Sequence, residues 1–216
     1  MLFNYGANLE MLINGVIRRI IEERFLDSNT VEAAFDNERV ALAVAQHCPE
    51  DYIKLSERLR GDKKLLKIVL KNIPISKDPE HPQPIELASD ALKDDDDIAT
   101  LSIQKNPCSI QWLSDRLRDN DDLAQIAMNA TPLAYPGLSL RLRERDDYIE
   151  SYVLAVENCR LYCLCAEDYL PKELSKYVNE YGFSTRVVQA WLLRNKLSRE
   201  LEVKSNHSYK KRNANV

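Results

Sequence analysis

At 216 residues, with 44% hydrophobic and 30% charged residues, the chain has the composition of a soluble globular protein and the length to bury a core as one large or two small domains. Five glycines argue against an architecture of strands and tight turns. Net charge is −4, but Lys204, Lys210, Lys211 and Arg212 stand in an acid-free last stretch, which leaves −8 on the remainder.

The first predicted element is an amphipathic helix from Ala7 to Phe25. Leu9, Leu12, Ile13, Val16, Ile17, Ile20 and Ile21 recur in it at three- and four-residue spacing. Asp27 to Thr30 supply turn and N-cap chemistry, so residues 1–35 read as an N-terminal helix and cap. From 36 to 156 the chain repeats itself. Pro, then Ser seven residues on, then Leu three later, recur as Pro49/Ser56/Leu59, Pro82/Ser89/Leu92, Pro107/Ser114/Leu117 and Pro132/Ser139/Leu142. The leucines are 33, 25 and 25 residues apart, and the long step is one period plus an eight-residue insertion. A degenerate first unit precedes them, with Val40, Ala41, Val44 and Ala45 in its second-helix positions.

Each full unit reads as two short helices. In the third, Pro107 sits in the first turn, where its missing N–H costs little, and Ile110, Leu113 and Leu117 share a face. Asp119, Asn120 and Asp121 interrupt, and Leu123, Ile126, Ala127 and Met128 form the next apolar face. Ile85, Leu92, Ile98, Leu101 and Ile103 do the same in the second unit. The repeated serines fall in mid-helix, where a small residue lets neighbouring helices approach. Helices of about ten residues are marginal alone in water, so stacking must stabilise them. The stretch 75–84 holds Pro79, Pro82 and Pro84 and reads as a stiff loop. Past Leu154 the frame fails, and 157–203 reads as a C-terminal helical cap. Its helices run from Pro171 to Tyr181, closed by Gly182, and from Ser184 to Leu201, with Val188, Trp191, Leu192 and Leu197 on the apolar side. Residues 204–216 read as a basic disordered tail. The expected fold is therefore all-α: a solenoid-like stack of 25-residue two-helix repeats with atypical helical caps at both ends.

The segments Ser89-Asp90-Ala91-Leu92-Lys93-Asp94-Asp95 and Ser114-Asp115-Arg116-Leu117-Arg118-Asp119-Asn120 each run into an apolar helix that ends at Asn106-Pro107 or Thr131-Pro132. This pattern resembles the DUF4116 repeats of bacteria and viruses, over roughly residues 36–156. Gly61 and Glu144 at the acidic turn, and Arg145 where Asp or Asn is expected, depart from it. The resemblance implies an all-helical fold and brings no activity or catalytic residue with it.

Two charged series carry the candidate interaction surface. The acids are Asp94, Asp95, Asp96 and Asp97, then Asp121 and Asp122, with related turns at Asp36-Asn37-Glu38 and Glu144 to Asp147. They read either as an acidic ridge for a cation or basic partner or, in preference, as helix caps. The bases are Arg58, Arg60, Lys93, Arg116, Arg118, Arg141 and Arg143. They could track a phosphate backbone, but each sits in the last turn of its helix close to those acids, which favours local ion pairing. Cys159, Cys163 and Cys165 invite a metal or redox reading, yet no CxxC pair or nearby histidine completes a set, and core packing is the simpler role. No nucleophile elbow, phosphate loop or HExxH is present, so neither a catalytic residue nor a cofactor is assigned.

An odd count of five cysteines suits a reducing compartment, and no apolar run is long enough for a secretory leader or membrane span, so the chain reads as cytoplasmic. The function expected from these features is that of a non-enzymatic repeat protein binding another macromolecule, foremost a protein, as a regulator, inhibitor or immunity-type partner. The alternative is nucleic-acid association through the last helix and basic tail. A third is an enzyme with no recognisable motif.

Overall fold

The structure, a computed structural model, describes residues 34–81, 83–158 and 166–213, with side chains as far as 204. The expected N-terminal helix, the Pro82 anchor and the Cys159/Cys163/Cys165 cluster lie outside these residues. The protein is all-α, and no strand occurs among the described residues. No helix there is long and apolar enough to cross a membrane.

The α-helices are α1 (Glu38–His47), α2 (Glu57–Arg60), α3 (Lys63–Asn72), α4 (Asp90–Lys93), α5 (Asp96–Lys105), α6 (Asp115–Arg118), α7 (Asp121–Ala130), α8 (Leu140–Arg143), α9 (Asp146–Asn158), α10 (Lys172–Tyr181) and α11 (Thr185–Asn213). Short 3₁₀ helices intervene at Pro49–Lys54, Pro84–Leu87, Pro107–Trp112, Pro132–Gly137 and Ala166–Tyr169. The chain divides into two compact units, Met1–Gly137 and Leu138–Val216, so the fourth Pro–Ser–Leu frame straddles the boundary.

In the first unit each repeat has three pieces rather than two. The expected first helix is a proline-led 3₁₀ turn followed by a separate four-residue α-helix. The reason is the serine, which stands at the N-cap of that short helix and not in mid-helix. Ser56 and Ser114 sit at extended ψ, and their hydroxyls accept from the N–H of Leu59 and Leu117, three residues on, both at 3.4 Å. A capping serine cannot continue the preceding turn, so the chain re-enters helix there. The ten-residue helices start at a second cap: Asn37, Asp62, Asp95 and Asn120 each accept backbone N–H bonds from the first turn. Within this unit α1 lies against α3, α3 against α5 and α5 against α7, and the four proline-led turns neighbour one another in the same order.

The anchor leucines Leu59, Leu92, Leu117 and Leu142 are all buried. On α7 the inner face is Leu123, Ala124, Ala127 and Met128, while Ile126, expected among them, is exposed. In the second repeat the 3₁₀ turn begins at Pro84 rather than Pro82, so Pro84 belongs to the repeat and not to the loop. The insertion is held down: Ser76 N–H donates to Lys105 O (2.8 Å), and Asn106 Nδ2 donates to Asp78 O (2.8 Å).

In the second unit α9 and α10 both pack on α11, burying Ile149, Tyr152, Val153, Val156, Leu174, Val178, Val188 and Leu192. Gly182 ends α10 at φ 95°, a left-handed conformation that glycine adopts freely. Ser184 and Thr185 open α11, where Glu157 accepts from both the N–H (3.1 Å) and the hydroxyl of Thr185. The helix is continuous to Asn213, through residues 204–213 of the segment expected to be a disordered tail.

Candidate functional site

Many of the charged residues singled out from the sequence are engaged within the first unit by partners in a neighbouring repeat. Asp94 Oδ1 accepts from the Ser114 hydroxyl and from Arg116 Nε (2.9 Å), while Arg116 also donates to Asp94 O (2.7 Å) and to Asp96 Oδ1 (3.1 Å). The Ser114 N–H donates to Lys93 O (3.0 Å). The same constellation is built 58 residues earlier. Asp36 accepts from the Ser56 hydroxyl and from Arg58 Nε (3.2 Å), Arg58 reaches Asp36 O (2.8 Å) and Glu38 Oε1 (3.3 Å), and Ser56 N–H donates to Phe35 O (3.2 Å). Each clamp ties the acidic turn of one repeat to the serine cap of the next. The Ser114 hydroxyl first, and then Arg116, hold the Asp94 carboxyl below the usual carboxylate range.

The joint that carries the insertion lacks this clamp at both ends. Gly61 stands in the acid's place and Ala91 in the arginine's. Ion pairs of opposite polarity serve there instead, with Lys63 on Asp95 and Lys67 Nζ on Asp97 Oδ2 (2.9 Å). The second basic series does different work. Arg60 Nη1 donates to Ile53 O (3.3 Å), Arg118 Nε to Gly137 O (2.8 Å), and Arg143 Nη1 to Tyr169 O (3.4 Å), so each arginine covers a carbonyl of a 3₁₀ turn. Lys93 is half-buried. Asp95 caps α5 through the Ile98 N–H (3.1 Å), while Asp121, Asp122 and Arg141 are exposed at the starts of α7 and α8. Of the arginines expected to pair locally, Arg118 does so with Asp115 (3.4 Å), whereas Arg58 and Arg116 pair between repeats with acids 20–22 residues back.

Among the described residues no group of three His, Cys, Asp or Glu is placed to hold a metal. A concavity lies in the second unit, an open groove of about 950 Å³ lined by the start of α9, α10 and α11. Trp191 and Tyr177 line it, with Lys172, Lys176, Arg194 and Arg199 facing Glu144, Asp146, Glu173 and Glu180. Four cations against four anions leave the groove without a dominant sign. Lys176 pairs with Glu173 at 3.1 Å, and the Tyr177 and Tyr181 rings pack at a 37° tilt with centroids 4.5 Å apart. The sequence offered one signal for this place, an aromatic at Trp191 with Tyr177 on the preceding helix, but only the folded unit brings the two helices together.

No family model matches the chain, and neither a curated protein nor a solved structure matches it.

Proposed function

We propose that this chain is a non-enzymatic helical-repeat protein that binds another protein, with the groove of the second unit as its docking site. The observation that carries the reading is the groove itself. It presents a tryptophan and a tyrosine among charges of both signs, the mixture that suits a protein surface better than a uniformly charged polymer. The repeat charges give further support, since Arg58, Arg60, Arg116 and Arg118 are engaged by carboxylates and carbonyls of their own chain. The order in which successive helices neighbour one another supports a solenoid-like arrangement of the repeats, and the Ser-x-x-Leu cap followed by an acidic turn is the feature behind the proposed kinship with DUF4116 repeats. Under this proposal the protein works in the cytoplasm as a regulator, inhibitor or immunity-type partner. Cys48 and Cys108, both free thiols, suit that compartment.

The test is affinity capture from the producing cells with the full chain, alongside Trp191→Ala and Lys176→Glu variants, before and after nuclease treatment. A partner that survives nuclease and is lost from both variants supports the proposal. Recovery that vanishes with nuclease favours nucleic-acid association, and recovery indifferent to both substitutions removes the groove as the site.

A further inference from the structure

Helix α11 is apolar on two opposite sides, and only one of them is used. Val188 and Leu192 are buried against the rest of the unit. At 100° per residue, Leu197 lies half a turn from Val188, so it cannot join the seam where the sequence pattern placed it. Leu193, Leu197 and Leu201 instead form a row at four-residue spacing, exposed by 59%, 51% and 66%. Ala190 extends the row toward the N-terminus and is exposed too. Beyond Asn195 every side chain as far as Lys204 is exposed, so this stretch of the helix is uncovered among the described residues. A single exposed leucine is ordinary, whereas an aligned row on an uncovered stretch of helix marks a contact surface.

The charge of the helix says what fits it. Residues 185–213 hold eight Lys and Arg against two Glu, a net of +6. By helical position Arg186, Arg194 and Lys204 border the leucine row, with Glu200 as the one acid beside it. The geometry points to the outer face of α11 as a docking surface for an acidic amphipathic helix of a partner protein. Leucines four residues apart are met by the apolar stripe of a second helix, and glutamates or aspartates flanking that stripe would face the arginines. A second copy of this chain would set +6 against +6 and repel. A phosphate backbone would use the cations and leave the leucines in water. The inference shares with the groove reading the premise of a protein partner, but not the groove, which Trp191, Asn195 and Ser198 line from another side of the helix.

The test titrates the full chain against a labelled peptide of about 20 residues, long enough to form a helix on binding. The peptide carries leucines at alternate three- and four-residue spacing, glutamates on both flanks and no basic residue, and a second peptide has the same composition in scrambled order. The patterned peptide should bind at physiological salt. Its Kd should rise about tenfold or more with Leu197→Glu, the loss expected for one leucine contact, and stay unchanged with Trp191→Ala. Leu197 is exposed, so its variant should keep the wild-type circular dichroism. Equal binding of the scrambled peptide would overturn the inference, as would duplex DNA or RNA bound more tightly than either peptide. Dimerisation of the chain alone that Leu197→Glu abolishes would assign the face to a second copy. Binding lost with Trp191→Ala but not with Leu197→Glu would sink this surface while supporting the groove.

Discussion

Substituting Gly137 by alanine should destabilise the first unit more than any other single-methyl addition at a described glycine. A Cβ at Gly137 would lie 2.7 Å from Gln111 N, 2.8 Å from Ile110 Cγ2 and 2.9 Å from Gln111 Cα. Carbon atoms prefer separations of about 3.5–4.0 Å, and two of these three obstacles are backbone that no rotamer change can move. Arg118 Nε holds the Gly137 carbonyl at 2.8 Å, so the strain cannot be relieved by sliding the turn. Overpacking of this kind costs about 1–3 kcal/mol, and backbone obstacles put Gly137→Ala at the upper end. At roughly 2–4 °C per kcal/mol for a chain of this size, the midpoint should fall by about 6–12 °C. The control is Gly61→Ala, whose Cβ would meet Arg58 O at 3.4 Å and Ser89 Oγ at 3.9 Å, which is ordinary contact. It should leave stability within about 0.5 kcal/mol or raise it slightly. Thermal and urea melts followed by far-ultraviolet circular dichroism read both variants. If Gly137→Ala melts with Gly61→Ala, the 3₁₀ turns Pro107–Trp112 and Pro132–Gly137 do not approach as described.

Truncating the fully buried Leu117 to alanine should cost about 2–5 kcal/mol in a urea titration, while Leu140→Ala, at a side chain 73% exposed, should stay within about 0.5 kcal/mol; equal effects would mean the helical phase is wrong. Gly61→Asp and Ala91→Arg together should be more stable than the sum of the single changes, because Ser89 already stands beside Gly61 as Ser114 stands beside Asp94; an additive double-mutant cycle would refute the equivalence of the joints. Because Asp94 is held below the ordinary carboxylate value near 3.9, its clamp should contribute fully above that pH and be lost as pH falls through the lower folded value; Asp94→Asn should flatten that part of the acid limb, and an unchanged limb would count against the clamp. Burial first, and the Asp78 charge second, push the Cys108 thiol up to about 12, so iodoacetamide at pH 8 should spare Cys108 until the protein is unfolded; peptide-resolved mass spectrometry of the folded protein would expose the error if Cys108 were labelled as readily as the half-exposed Cys48.

What the sequence made legible is what repeats with a burial period. Leu59, Leu92, Leu117 and Leu142 recur because each fills the same interior position, and their burial follows from spacing alone. Gly182 and the start of α11 were readable as local stop and start chemistry. Phase was harder. Ile126 and Leu197 are apolar at helical spacing from core residues yet face outward, because a broad stripe reads the same whether its edge is buried or not. The serine's cap was missed for a related reason: a mid-helix small residue and an N-cap differ in one ψ angle, which residue type does not fix. The clamp was recoverable in principle. Asp36, Ser56 and Arg58 have the same mutual offsets as Asp94, Ser114 and Arg116, but offsets of 20 and 22 residues carry no meaning until the fold makes them neighbours.

The joint around Gly61 sharpens how the repeat charges should be understood. Were the arginines kept for a ligand, the loss of the one at position 91 would not call for loss of the acid at 61. Both are absent together, and at that joint lysines on α3 meet aspartates on α5, reversing which repeat supplies the cation. Charge is therefore matched joint by joint within the first unit. These pairs are exposed, so each adds little to stability, and their consistent geometry is better understood as fixing register between repeats than as strengthening the core. A surface whose charges are already matched within the chain attracts charged partners weakly. The excess of cations lies elsewhere, on α11, where Lys and Arg outnumber the acids beside an exposed leucine row, although Arg194 and Arg199 also face the acids of the groove. The two halves of the protein thus use similar residue types differently: arginine aligns neighbours in the first unit, and on α11 of the second it stands where the proposed acidic partner helix would meet it.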